Sequence, residues 1–142
     1  MTIQGHTINL NVRNINMTQI NQIYKCNICG NVVEVMHSGQ GELVCCGQPM
    51  ELLEEKIKDE GSEKHVPVIE NNNGLVRVKI GEVPHPMEQG HYIEWLEIIA
   101  DGKNYKKHFS AGDKPEYTFA IEAENVIARV FCNVHGLWKI NL

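Results

Sequence analysis

Residues 125–142 read NVIARVFCNVHGLWKINL, and the architecture is decided there. Val126, Ala128, Val130 and Cys132 fall at every second position, and successive side chains of a strand point to opposite faces, so these residues share one face. Three of them are apolar, which makes that face the core face and carries Cys132 inward at the strand's end. NVHG then turns the chain, His135 follows the thiol by three positions, and LWKINL reads as the returning strand. A buried thiol beside an imidazole is a placement for chemistry, not a surface accident.

The same pattern runs upstream as far as His65. VPVIE and LVRVKIGEV flank NNNG, and YIEWLEIIA and NYKKHF flank DG, both of which are hairpin signals. EYTFAIEA precedes the stretch quoted above. No helical periodicity is sustained, and about seven strands in some eighty residues predict an antiparallel sandwich.

Composition narrows the function classes. The chain has 142 residues, of which 42% are hydrophobic and 22% charged, with a formal net charge of −5. An acidic chain lacks the basic stripe that nucleic acid requires. No apolar run is long enough to cross a bilayer, and the N-terminus lacks the organisation of a secretory signal, so the expected compartment is a reducing cytoplasm. There, clustered cysteines are more often metal ligands than disulfides, and the odd total of five leaves at least one thiol outside any internal pair.

Four regions follow from these shifts of composition. Residues 1–22, rich in Asn, Gln and Thr, form an N-terminal extension. Residues 23–53 hold four cysteines among short apolar runs, a segment too small to stand on a hydrophobic core alone. Residues 54–62, within EEKIKDEGSE, read as a linker, and 63–142 as the sandwich domain.

In the small segment, YKCNICG supplies Cys26 and Cys29 and ELVCCGQPM supplies Cys45 and Cys46. Two such pairs complete a tetrahedral all-sulfur site, and the ligand type leaves iron or zinc open. The adjacent second pair lacks the usual two-residue spacer, so distorted angles at the metal are expected. Of the seven histidines, His6, His37 and His108 stand in polar settings and read as surface residues. His65, His85, His91 and His135 lie at strand ends and turns, and His85 stands between two prolines that restrict the backbone. Spacing alone leaves open whether these four are structural or share a metal with Cys132.

YKCNICGNVVEV, ELVCCGQPMELL, EKHVPVIE, VPHPMEQGHYIEWLE and FCNVHGLWK together resemble the desulfoferrodoxins, the two-iron form of superoxide reductase, over about residues 23–142. The resemblance implies a mostly β chain, in which a small metal-stabilised desulforedoxin-like domain precedes an immunoglobulin-like antiparallel β-sandwich. It implies two irons per chain, one on Cys26, Cys29, Cys45 and Cys46, the other on equatorial His65, His85, His91 and His135 with axial Cys132. It further implies reduction of superoxide to hydrogen peroxide, with Lys64 attracting the anion and Glu63 able to fill the sixth position of ferric iron. A rubredoxin-like electron donor and a homodimer are expected, and no nucleic-acid or membrane partner. Met17 stands where members of the family usually begin, so residues 1–16 are expected to be unnecessary for either iron.

Two other readings compete. A blue-copper electron carrier is also a sandwich with Cys and His near its end, but its weak axial methionine normally follows that histidine, and the last methionine here is Met87. A non-catalytic zinc-ribbon module accounts for the four upstream cysteines and leaves Cys132 and the histidines unexplained.

Overall fold

The structure is a computed structural model that describes residues 17–59 and 64–142. The chain divides after Leu53 into two compact units. No helix of the described residues is long and apolar enough to cross a membrane.

The described residues of the first unit form five short strands: β1 (Ile23–Lys25), β2 (Val32–Glu34), β3 (Val44–Cys45), β4 (Gln48–Pro49) and β5 (Glu51–Leu52). β1 lies between β2 and β5, and β3 pairs with β4, all antiparallel. Its buried apolar residues among those described are Ile23, Cys26 and Val35, whereas Ile20, Ile28, Met36 and Val44 are exposed. So small a core needs further support, and the thiols are placed to provide it. Residues 17–22, which composition groups with the extension, carry specific contacts. Thr18 is buried, its backbone N–H donates to the Gly39 carbonyl (2.9 Å), and its Oγ1 accepts from the Gly39 N–H (2.9 Å).

The second unit contains β6 (Pro67–Asn72), β7 (Leu75–Ile80), β8 (Ile93–Ala100), β9 (Lys103–His108), β10 (Glu116–Phe119), β11 (Val126–Cys132) and β12 (Gly136–Asn141). They form two antiparallel sheets, in the orders β10-β7-β6 and β12-β11-β8-β9. This is the expected sandwich. Asn73-Gly74 and Asp101-Gly102 close the β6–β7 and β8–β9 hairpins, all four residues with positive φ, which two-residue turns matched to strand twist require. Val76, Val78 and Ile80 of one sheet pack with Leu96, Ile98, Val126, Ala128, Val130 and Cys132 of the other in a single core. Cys132 is fully buried, as the alternation from Val126 requires.

The opposite face of the larger sheet holds a buried ion pair. Arg129 and Glu97 are both fully buried, Lys106 reaches Glu97 (2.5 Å), and Glu55 accepts from Arg129 (3.0 Å). Glu55 belongs to the segment read from sequence as a linker, as does Lys56. The Lys56 N–H donates to the Leu137 carbonyl (3.0 Å), and its carbonyl accepts from the Lys139 N–H (2.8 Å). The described part of that segment is therefore tied to β12. A charged composition hides this because the contacts use backbone groups and a buried partner distant in sequence.

Candidate metal centres

Local chain geometry brings the histidines and Cys132 together. His65 stands two residues before β6, and Asp59 fixes it there, its Oδ1 accepting from the N–H groups of His65 (2.6 Å) and Val66 (3.0 Å). His85 lies in the turn after β7, where its Nδ1 is 2.7 Å from the Pro86 carbonyl. That bond makes Nδ1 the protonated nitrogen and leaves Nε2 as the ligand atom. His91 precedes β8 and exchanges two backbone hydrogen bonds with Glu88 (2.9 and 3.0 Å). Cys132 ends β11, and the next three residues turn into β12 at Gly136, whose φ of +85° suits glycine.

The four imidazoles form a closed ring. Centroids lie 4.5 Å apart for His65–His85, 5.0 Å for His85–His91, 5.0 Å for His91–His135 and 4.9 Å for His135–His65, each pair edge to face. One donor atom from each of these residues and the Cys132 Sγ all lie within 4.8 Å of one another. The sulfur is 3.8 Å from the His135 Nδ1 and accepts from the His135 N–H at 3.4 Å. His65 and His85 are buried, while His91 and His135 are half-buried. Five nitrogen and sulfur donors suit a transition metal; magnesium and calcium demand oxygen.

The supporting residues were not legible as such. Asn133, inside the turn, accepts from the Tyr92 N–H (2.9 Å) and donates to the Gly90 carbonyl (3.1 Å), which fixes the Cys132–His135 turn to the approach to His91. An Asn between two candidate ligands was the available signal. Trp138 stacks on His65 at 4.6 Å between centroids, with 10° between planes. Lys64, half-buried, sits against Gly81: a Cβ on Gly81 would fall 2.3 Å from the Lys64 carbonyl oxygen. Glu63 lies outside the described residues, as do His6 and residues 1–16. His37 and His108 are exposed and outside both donor groups.

In the first unit Cys26, Cys29, Cys45 and Cys46 bring their sulfurs within 4.8 Å of one another. All four are free thiols, with Cys29 and Cys45 sulfurs 3.5 Å apart. The Cys26 turn is held by the Gly30 N–H donating to the Cys26 carbonyl (2.9 Å). Cys45 closes β3, and Cys46 is the first residue of the Cys46-Gly47 turn, with φ of +53° and +77°. Adjacent cysteines thus take different backbone roles, and a left-handed Cys46 does the work of the missing spacer. Backbone N–H groups of Cys29 and Ile28 pull the Cys26 thiol down to about 6, while the neighbouring sulfurs of Cys29, Cys26 and Cys45 push Cys46 up to about 12. An all-sulfur tetrad fits iron or zinc.

A seven-stranded sandwich with four imidazoles and a thiol converging, in a chain that also carries a four-thiol unit, defines a class of non-haem metalloprotein. Desulfoferrodoxin matches residues 57–141 and the desulfoferrodoxin N-terminal domain matches residues 18–53, and the chain belongs to the desulfoferrodoxin family. It is 56% identical to the desulfoferrodoxin homolog of Archaeoglobus fulgidus, over 87% of this chain and 98% of the relative. Identity to the desulfoferrodoxin of Nitratidesulfovibrio vulgaris is 55%, over 83% of this chain and 94% of the relative. The crystal structure of the superoxide reductase from Treponema pallidum superposes with a TM-score of 0.67 at 26% identity, covering 84% of this chain and 96% of that one.

Proposed function

We propose that this protein is a superoxide reductase. The observation that carries the reading is the closed ring of four imidazoles joined by the buried Cys132 sulfur. The reading assigns one iron to His65, His85, His91, His135 and Cys132 and a second to Cys26, Cys29, Cys45 and Cys46. Held by those five residues, a ferrous ion would supply the one electron that, with two protons, converts superoxide to hydrogen peroxide. The residues supply the rest. Neutral imidazoles hold a cation without cancelling its charge, and the thiolate raises electron density on the metal. The Pro86 carbonyl fixes the His85 tautomer, and Asp59 and Asn133 fix the ligand-bearing turns. His91 and His135 are half-buried, which supports solvent near the site as the source of the protons. Lys64, next to His65 in the chain, is assigned on the resemblance of EKHVPVIE to offer a positive charge to an anion that the chain's net charge of −5 repels at long range. Glu63, on the resemblance of EKHVPVIE alone, would be a further ligand to the oxidised ion.

The blue-copper alternative takes two histidines and a cysteine with a weak axial methionine. Five converging donors, with Met87 packed against the apolar core, do not fit it. A rubredoxin-like donor, a cytoplasmic setting and a homodimer complete the proposal. The exposure of Ile20, Ile28, Met36 and Val44 on the small unit supports the homodimer, which could cover such apolar side chains.

Cys132→Ser tests the reading. The parent, expressed with iron available, is expected to hold two irons per chain and, oxidised, to show a thiolate-to-iron charge-transfer band. The variant is expected to lose that band and its fast reaction with superoxide in pulse radiolysis. A folded, iron-loaded variant with the parent's spectrum overturns the thiolate assignment; copper, or zinc alone, in the parent overturns the reductase.

A further inference from the structure

Lys56 reaches the histidine-rich centre from a segment that reads as solvated linker. Its backbone is clamped to β12 by hydrogen bonds with Leu137 and Lys139. Its side chain then meets two parts of the site. Nζ donates to the His135 carbonyl at 2.9 Å and lies over the Trp138 ring, 5.1 Å from its centroid. Trp138 in turn stacks on His65. One ammonium therefore touches the backbone of one donor residue and the aromatic neighbour of another.

We propose that Lys56 is a positioning residue of this centre, which holds a fixed positive charge beside the ligand set and thereby favours the ferrous form. The assignment rests on the iron reading above. The ferric centre carries one more positive charge than the ferrous, so a nearby cation raises the energy of the ferric form more. Lys56 is exposed, and solvent screening reduces the effect without removing it. The Trp138 face contributes by holding the ammonium in place, since a cation over an indole ring is attracted to its negative face. A surface lysine without these two anchors would swing away and average its field out.

The test is spectroelectrochemical titration of the full-length iron-loaded protein at the thiolate-to-iron band. Lys56→Met keeps the stem and removes the charge. Its ferric/ferrous equilibrium is expected to shift toward ferric by about three- to tenfold, up to about 59 mV for one electron. Lys56→Arg is expected to restore most of the parent value, and the four-thiol centre in the same sample to stay unchanged. The Met variant's shift is expected to shrink at high salt. If Lys56→Met loses iron, Lys56→Gln, which keeps a donor for the His135 carbonyl, is judged by the same shift. A potential equal to the parent's without the charge, or as low in Lys56→Arg as in Lys56→Met, overturns the assignment. A parent without the band fails the iron reading and takes this assignment with it; a parent with the band and an unmoved variant fails the assignment alone.

Discussion

The four thiols of the small unit are chemically unequal before any metal arrives. Cys26 is drawn down to about 6 by the backbone N–H groups of Cys29 and Ile28, whereas Cys46, pushed up to about 12, keeps its proton at neutral pH. Cys26 is then the thiolate that captures an ion, and Cys46 is the last to give up its proton. Lowering a thiol's pKa extends its anionic form to lower pH, so capture fails only as pH falls through about 6. Cobalt(II) uptake by metal-free protein, followed by thiolate charge transfer in stopped flow, is expected to accelerate between pH 5 and 7. Acceleration centred near the ordinary thiol range, about 8.5, would count against it. The ligand types themselves were legible, because a cysteine pair or a histidine at a turn carries its chemistry in its name. Asp59 and Asn133 were not, since they act through hydrogen bonds to backbone N–H and carbonyl groups of neighbouring segments.

Among the elements, hairpins were the most legible. Asn-Gly and Asp-Gly pairs define both their turns and the register of β6 with β7 and of β8 with β9. The pairing of β10 with β7 joins strands distant in sequence, and no local signal specifies it. The linker reading missed Lys56 for the same reason. The bend after β7 shows what such non-local contacts demand. Gly81 has φ of +86°, and a Cβ there would meet the Lys64 carbonyl oxygen at 2.3 Å. Gly81→Ala must therefore displace the backbone that leads into His65, on top of a left-handed strain of about 1–3 kcal/mol. The variant is expected to unfold at lower denaturant and to bind less metal at the histidine set, with the four-thiol metal retained. Parental metal content and an unchanged denaturation midpoint would show that the loop yields freely.

For the whole molecule, the division after Leu53 assigns each donor group to one unit: the four thiols to the first, the histidines and Cys132 to the second. Cys26→Ser is therefore expected to perturb the first metal alone. Given a chemical reductant, single-turnover superoxide reduction by the other centre is expected to stay within about twofold of the parent, and its complete loss in a folded variant would refute the separation. Within the second unit, the donors are scattered along the chain. His65 precedes β6 and His85 follows β7 in one sheet, while His91 precedes β8 and Cys132 and His135 join β11 to β12 in the other. An ion at their meeting point fastens the two sheets together as a multi-pronged cross-link. Like a disulfide, it removes conformations from the unfolded chain, with a benefit that grows slowly with the loops it closes. The ring that fits the proposed chemistry is thus also a clasp, and oxidative loss of the ion would remove a tie between the two sheets as well as the reactivity.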